Sequence, residues 1–152
     1  MTLVLHSSHF DVSAGELFEF HRDARNLGLI SPPVPRFELL SEPGLSEEGD
    51  EQLFRLSVGP FGTTWKARIT RLAPGRLIED TQESGPFLRW RHQHRVSGEG
   101  AGSRLIDVVA FRALPTPIGE FVESLLVRPG IKLMFLWRHR RTRAAFAATA
   151  KR

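Results

Sequence analysis

The sequence has no cysteine and no tyrosine. Without thiols, disulfides, iron–sulfur clusters, thiolate chemistry and cysteine-bound zinc are all excluded. Long apolar runs are missing too. No stretch reaches the about 18 residues of a membrane span, and Met1 to Phe10 has no basic leader region. A cytoplasmic protein without stable membrane insertion is the expectation. There is no glycine-rich phosphate loop before a helix, no nucleophile elbow and no zinc-protease helix motif. Lysine is sparse beside arginine. The net charge of +4 is too small to argue for nucleic acid as a partner. Much of the surplus sits in Arg138-His139-Arg140-Arg141-Thr142-Arg143. Such a run suits a solvated helix end, where cations meet the negative pole of the dipole. It leaves transient contact with an anionic membrane surface open.

What is present is the length and patterning of one domain over residues 1–152. Leu3 to Val12 reads as an opening strand. Ser13-x-x-Glu16 is a capping box, in which hydroxyl and carboxylate each satisfy an orphan backbone group at a helix start. Leu17, Phe18 and Phe20 follow as the apolar residues of that short helix. Arg25 to Leu29 forms a second one, stopped by Ser31-Pro32-Pro33. The period then changes to two. Strands are expected over Phe37–Leu40, Gln52–Val58, Thr63–Leu72, Leu77–Gln82, Phe87–Val96 and Arg104–Arg112, each closed by Gly or Pro signals. That spacing predicts an antiparallel meander. After Leu114-Pro115 the period returns to helical, with Ile118, Phe121, Val122, Leu125 and Leu126 at spacings of three and four. At Pro129-Gly130 the helix either kinks or restarts with Pro129 in its first turn. Ile131 to Ala150 continues it.

The order predicts an α+β domain: two short helices after strand 1, a curved antiparallel sheet of about six to seven strands, and a long C-terminal helix covering its open face. A cavity between sheet and helix follows from that geometry. The chain also resembles the START, polyketide-cyclase and birch-pollen-allergen-like superfamily (SRPBCC), and within it the bacterial ligand-binding branch. The residues that carry the resemblance are Asp11 to His21, Asn26-Leu27 to Pro32-Pro33, Gly59-Pro60 before Trp65-Lys66-Ala67-Arg68-Ile69, and Asp80-Thr81-Gln82-Glu83-Ser84-Gly85-Pro86-Phe87. Trp90-Arg91-His92-Gln93-His94, Asp107, Leu114-Pro115-x-x-x-Gly119 and Phe135-Leu136-Trp137-Arg138 complete it. The resemblance implies a helix-grip fold. The superfamily holds carriers, receptors, cyclases and oxygenase subunits, so fold alone does not name an activity, and no catalytic motif carries over.

Strand alternation puts Leu88, Trp90, His92, His94 and Val96 on one face and Arg89, Arg91, Gln93 and Arg95 on the solvent face. Trp65, Ala67 and Ile69 share a face, as do Leu105, Asp107, Val109 and Phe111. Asp80 and Gln82 share parity with Ile78. On the terminal helix, Ile131, Met134, Phe135 and Arg138 fall on one side, with Met134 and Phe135 forming a lid. The expected ligand-binding set is Trp65, Ile69, Asp80, Gln82, Trp90, His92, His94, Asp107, Phe111, Met134 and Phe135. The bland reading of the two histidines is a core pair hydrogen-bonded to Asp80, Gln82 or Asp107. His-x-His with Asp107 is also a metal-ligand spacing, and a histidine–aspartate pair can do acid–base chemistry. The expectation is a small hydrophobic ligand such as a lipid, isoprenoid or polyketide-like compound, with no metal, no cofactor and no assigned catalytic residue. The alternatives are a cyclase or dehydratase using a cavity histidine, and an interaction module whose cavity is filled by side chains.

Overall fold

The computed structural model describes residues 1–152, the side chain of Pro117 excepted. Strand β1 (Thr2–Phe10) leads into α1 (Ala14–Arg22), then a single 3-10 turn (Ala24–Asn26) that runs into α2 (Leu27–Ile30). Six strands follow: β2 (Arg36–Leu39), β3 (Glu51–Val58), β4 (Phe61–Ala73), β5 (Leu77–Ser84), β6 (Arg89–Glu99) and β7 (Gly102–Arg112). The chain ends in α3 (Pro117–Val122), a π-helical turn (Glu123–Val127) and α4 (Arg128–Ala150).

The capping box forms as the sequence predicts. Ser13 Oγ accepts from the Glu16 backbone N–H at 3.2 Å, and Glu16 accepts from the Ser13 N–H at 3.0 Å. All seven strands join one antiparallel sheet in the order β1-β7-β6-β5-β4-β3-β2. The first strand closes on the last, so the meander curls into a half-barrel with one concave face. Two register shifts, between Lys66 and Ala67 and between Ile69 and Arg71, sharpen the curl at β4–β5. Where β7 begins, the backbones come very close: a Cβ on Gly102 would sit 2.2 Å from the Phe10 carbonyl oxygen. Only glycine fits there.

The terminal helix packs along β1 and α2 and completes a helix-grip architecture. It is tied at its root by Glu123, which is 1% exposed and accepts from Thr2 Oγ1 and from the Ala113 N–H, both at 2.6 Å. Pro129 neither ends the helical run nor opens a gap in it. Proline has no N–H to donate four residues back. The π turn moves the ladder to five-residue spacing just before it, with the Arg128 N–H reaching the Glu123 carbonyl, and α4 starts with Pro129 in its first turn.

Two core clusters result. Phe10, Leu17, Phe18, Ile69, Ile78, Val96 and Leu105 fill the closed end under α1. Val4, Phe54, Trp65, Ala67, Trp90, Val109, Phe111, Ile131 and Phe135 form the second cluster under α4. Two expectations about β6 need correction. Leu88 precedes the strand and is 53% exposed, so it takes no part in the inner stripe. Gln93 lies on the convex side but is buried: its amide donates to Glu79 and its carbonyl accepts from Arg95 Nε at 2.9 Å. Long charged neighbours on a convex sheet can cover a shorter residue completely.

Candidate functional site

A cavity of about 640 Å³ opens between the concave face and the helices, inside the roughly 300–1,000 Å³ range of small-molecule sites. Because α4 lies over the β1 side, the uncovered part of the concave face is the part built by β3 to β6. Its aromatic wall is tightly built. Trp65 and Trp90 meet edge to face with ring centres 4.8 Å apart, and Phe87 stacks on Trp90 at 4.9 Å. Phe37 and Phe54 continue it at 5.2 Å. Ile131, Met134 and Arg138 of α4, at spacings of three and four, close the far side. The mouth is apolar as well: Val58, Phe61 and Leu126 line the opening and are 55%, 79% and 65% exposed.

The opposite end is polar, and strand register explains it. His92 lies directly across from Asp80 on β5, and His94 directly across from Asp107 on β7. His6 on β1 faces Asp107 from the other side. His139 descends onto the same carboxylate from α4. Four of the six histidines in the chain therefore gather around Asp107, which is 1% exposed. His92 Nε2–H donates to Asp107 Oδ1 at 2.9 Å, and His139 Nε2–H donates to Oδ2 at 2.6 Å. Nδ1 of His139 shares a hydrogen bond with Ser8 Oγ at 2.7 Å. Nδ1 of His92 lies 3.3 Å from Asp80 Oδ2. His94 Nδ1 sits 2.5 Å from Asp107 Oδ1, a close polar contact that lies off the line a hydrogen bond requires. His21 of α1 packs its ring 5.0 Å from that of His94.

The charge states follow from these contacts. Burial opposes a charge on His92, but its hydrogen bonds to Asp107 and Asp80 more than offset it and raise its pKa to about 9. Burial likewise works against ionised Asp107, yet the surrounding histidines, His94 first, hold it well below the ordinary carboxylate range. His94 and His21 are pushed down, chiefly by burial. At neutral pH the site therefore holds an ion pair, His92 with Asp107, flanked by neutral His94 and His21. Asp80, His92 and His94 each bring a ligand atom to within 4.8 Å of the others, so Asp80 and not Asp107 completes the metal-type group. Both ring nitrogens of His92 already face carboxylates, and a cation would have to displace that arrangement.

Of the residues expected to form the site, Trp65, Ile69, Asp80, Trp90, His92, His94 and Met134 line the cavity. Gln82, Asp107, Phe111 and Phe135 do not. Gln82 clamps the β5–β6 loop, donating to the Phe87 carbonyl at 2.6 Å and accepting from the Phe87 N–H at 3.3 Å. Asp107, Phe111 and Phe135 point inward but lie behind the wall, fully buried. Parity assigns a face and says nothing of depth. The basic run, which by composition suits a solvated helix end, is corrected at Arg138, His139 and Thr142, which are buried, and nothing in the sequence pattern marks His21 as part of the site. For the helix a signal existed: Ile131, Phe135, Arg138, His139 and Thr142 continue one helical stripe, and all five are buried. Arg140, Arg141 and Arg143 of the same basic run are exposed, as expected for a solvated face.

The fold and this half-open cavity define a helix-grip protein of the SRPBCC superfamily. The family model described as "Polyketide cyclase / dehydrase and lipid transport" matches residues 10–134, and the chain belongs to that family. No curated protein sequence matches it. Solved structures do. Protein Ms6760 from Mycobacterium smegmatis superposes with a TM-score of 0.70 at 14% identity, covering 97% of this chain and 92% of its own. TTHA0849 from Thermus thermophilus gives 0.70 at 15%, covering 95% and 99%. The major latex-like protein 151 of Panax ginseng gives 0.65 at 11%, covering 95% and 96%. At such identities the likeness is one of fold.

Proposed function

We propose that this chain binds and carries a small hydrophobic molecule, of lipid, isoprenoid or polyketide-like character, in the cavity between sheet and terminal helix. The observation that carries the reading is the pairing of a roomy aromatic wall with a few fixed polar groups at one end. Apolar walls supply affinity, at about 25 cal/mol per Å² of surface removed from water before association costs. Polar groups set the orientation. Membership of a family described by cyclase, dehydrase and lipid transport functions supports the same reading. Trp65, Ile69, Trp90 and Met134 are the apolar contacts, and Asp80, His92 and His94 face the polar end. The test is native mass spectrometry of the purified protein, then denaturing extraction. A co-purifying hydrophobic molecule is expected. An empty protein that gains no thermal stability from lipids or aromatic compounds would overturn the proposal.

One observation favours a second reading. His94 is neutral, lines the cavity and touches the buried Asp107 carboxylate through its other side. That is the form a general base takes before it accepts a proton. A cyclase or dehydratase would lose turnover in His94→Ala while still binding substrate, whereas a carrier has no turnover to lose.

A further inference from the structure

Among the described residues, Arg138 is the only arginine on the cavity wall, and it is 8% exposed. A guanidinium stays charged under all ordinary conditions and carries five N–H donors. Inside a protein such a group is normally paired, because an uncompensated buried charge is costly. Arg138 is not paired. Among the described residues no carboxylate reaches it to form an ion pair, and its Nε has no hydrogen-bond partner. Its guanidinium carbon lies 5.4 Å from the centre of the Phe37 ring, a weak electrostatic partner by comparison with a carboxylate. Burial pulls its pKa down, and Asp107 and Asp80 offset this only across space.

Two ring nitrogens elsewhere on the cavity wall are also unpartnered. His21 Nε2 and Trp65 Nε1, on residues that also line the cavity, are buried without partners among the described residues. The indole N–H can only donate. The other cation, His92, is already shared between two carboxylates, so Asp80 is occupied there and repels an anion from that corner. Among the described residues the cavity wall thus carries one cation without an ion-pair partner and one indole N–H without an acceptor.

We infer that the molecule carried in this cavity bears an acidic oxygen group, a carboxylate or an acidic enol or phenol oxygen, which seats on the Arg138 guanidinium while its apolar body lies along Trp65, Phe87 and Trp90. The inference rests on the carrier reading and narrows it from hydrophobic molecules to amphipathic acids. The planar fork of arginine donates two parallel hydrogen bonds to a carboxylate, and entry of the acid supplies the missing counter-charge. The free protein carries an unsatisfied cation that the bound one does not.

The experiment compares matched acids and esters by quenching of tryptophan fluorescence. The probes are hexadecanoic acid with its methyl ester and 1-pyrenebutyric acid with its methyl ester, against the wild type, Arg138→Met and Arg138→Lys. In the wild type each acid is expected to bind about 10- to 100-fold more tightly than its ester, the worth of charge-assisted hydrogen bonds. Arg138→Met removes that preference while keeping ester affinity, and Arg138→Lys keeps part of it. Without ligand, Arg138→Met has an equal or higher Tm, since it deletes an unpaired buried charge. Equal binding of acid and ester by the wild type, or a preference that survives Arg138→Met, overturns the inference and leaves the carrier reading standing. A clear fall in Tm with equal loss of both affinities marks Arg138 as a structural residue and overturns it too. If neither member of either pair binds and the purified protein is empty, the carrier reading falls and the inference with it.

Discussion

The two ends of the cavity are held together by different forces, and the difference shows in how they respond to change. At the aromatic end, Trp65, Phe87 and Trp90 pack through area and ring geometry. Such contacts are non-directional, and many ligand shapes satisfy them. At the other end Asp107, His92, His139 and Asp80 form a chain of directed polar contacts in which two carboxylates hold the charge on His92. The first end tolerates variety in its occupant. The second has no slack, because a buried network with one member missing leaves charges unpaired. On the carrier reading proposed above, such a protein would select its ligand at the polar end and hold it at the apolar one.

Deleting the hub should have the largest effect. Asp107→Ala leaves the His92 charge buried and takes one partner from His139. Loss of one member of a buried ion pair costs about 3–5 kcal/mol, so the unfolding free energy of this variant in urea should fall by that amount, or no folded protein should be seen. A loss below about 1 kcal/mol would mean that the histidine cluster holds without its carboxylate, and the contrast between the two ends would disappear.

Next comes the apolar end. Trp90→Ala removes a ring that packs on Trp65 and Phe87 but borders empty space on its cavity side. The cost should fall near the lower bound of the usual range for buried aromatics, about 3 kcal/mol. The protein should stay folded by circular dichroism and bind an apolar ligand about tenfold more weakly. Unchanged affinity would remove the aromatic wall from the binding surface.

These two positions also show what the sequence could and could not reveal. The inward face of β6 follows from alternation alone, because Trp90, His92 and His94 sit two apart on an unbroken strand. The capping box at Ser13 was legible for a similar reason: it depends on residues three apart and on nothing distant. Arg138 and His139 were hidden by company. They stand in a run of cations whose other members are solvated, and local composition there points outward. Only the continuation of the Ile131–Phe135 stripe marks them as buried. Gln82 has inward parity, but it spends its amide on a loop, and whether a polar group faces a cavity or clamps a backbone depends on a turn whose geometry the sequence does not state. Asp107, Phe111 and Phe135 show a further limit. Their face is set by alternation and helical spacing, but the distance from wall to void depends on how far α4 settles onto β1.

The pH dependence of stability sharpens the comparison further. His92 has a folded pKa of about 9 against 6.5 when unfolded. A raised histidine pKa stabilises fully below the unfolded value and loses that stabilisation as pH climbs to the folded one. Stability should therefore fall between pH 6.5 and about 9, by up to about 1.4 kcal/mol per pH unit. Asp107, His94 and His21 are all shifted downward, so their transitions lie below this window. In His92→Gln the alkaline fall should vanish, while Trp90→Ala should keep it. A slope that persists in His92→Gln would assign it elsewhere.

Asp80 and Asp107 both hold His92, but from different depths, and this gives the smallest and most discriminating effect. Asp107 contacts it at 2.9 Å with a side chain 2% exposed, whereas Asp80 lies at 3.3 Å, 19% exposed, on the cavity wall. In Asp80→Asn the amide oxygen can still accept from His92 Nδ1–H, and water reaches the site from the cavity. The cost should be about 1 kcal/mol, one hydrogen bond weakened and not broken. The His92 titration, followed by NMR of its ring nitrogens, should move down from about 9 by roughly one unit, the ordinary worth of one nearby charge. Asp107→Asn should move it much further, since the deeper carboxylate acts where solvent screens least. Equal shifts in the two variants would mean that depth does not rank the carboxylates, and that Asp80 belongs to the structural network as fully as Asp107 does.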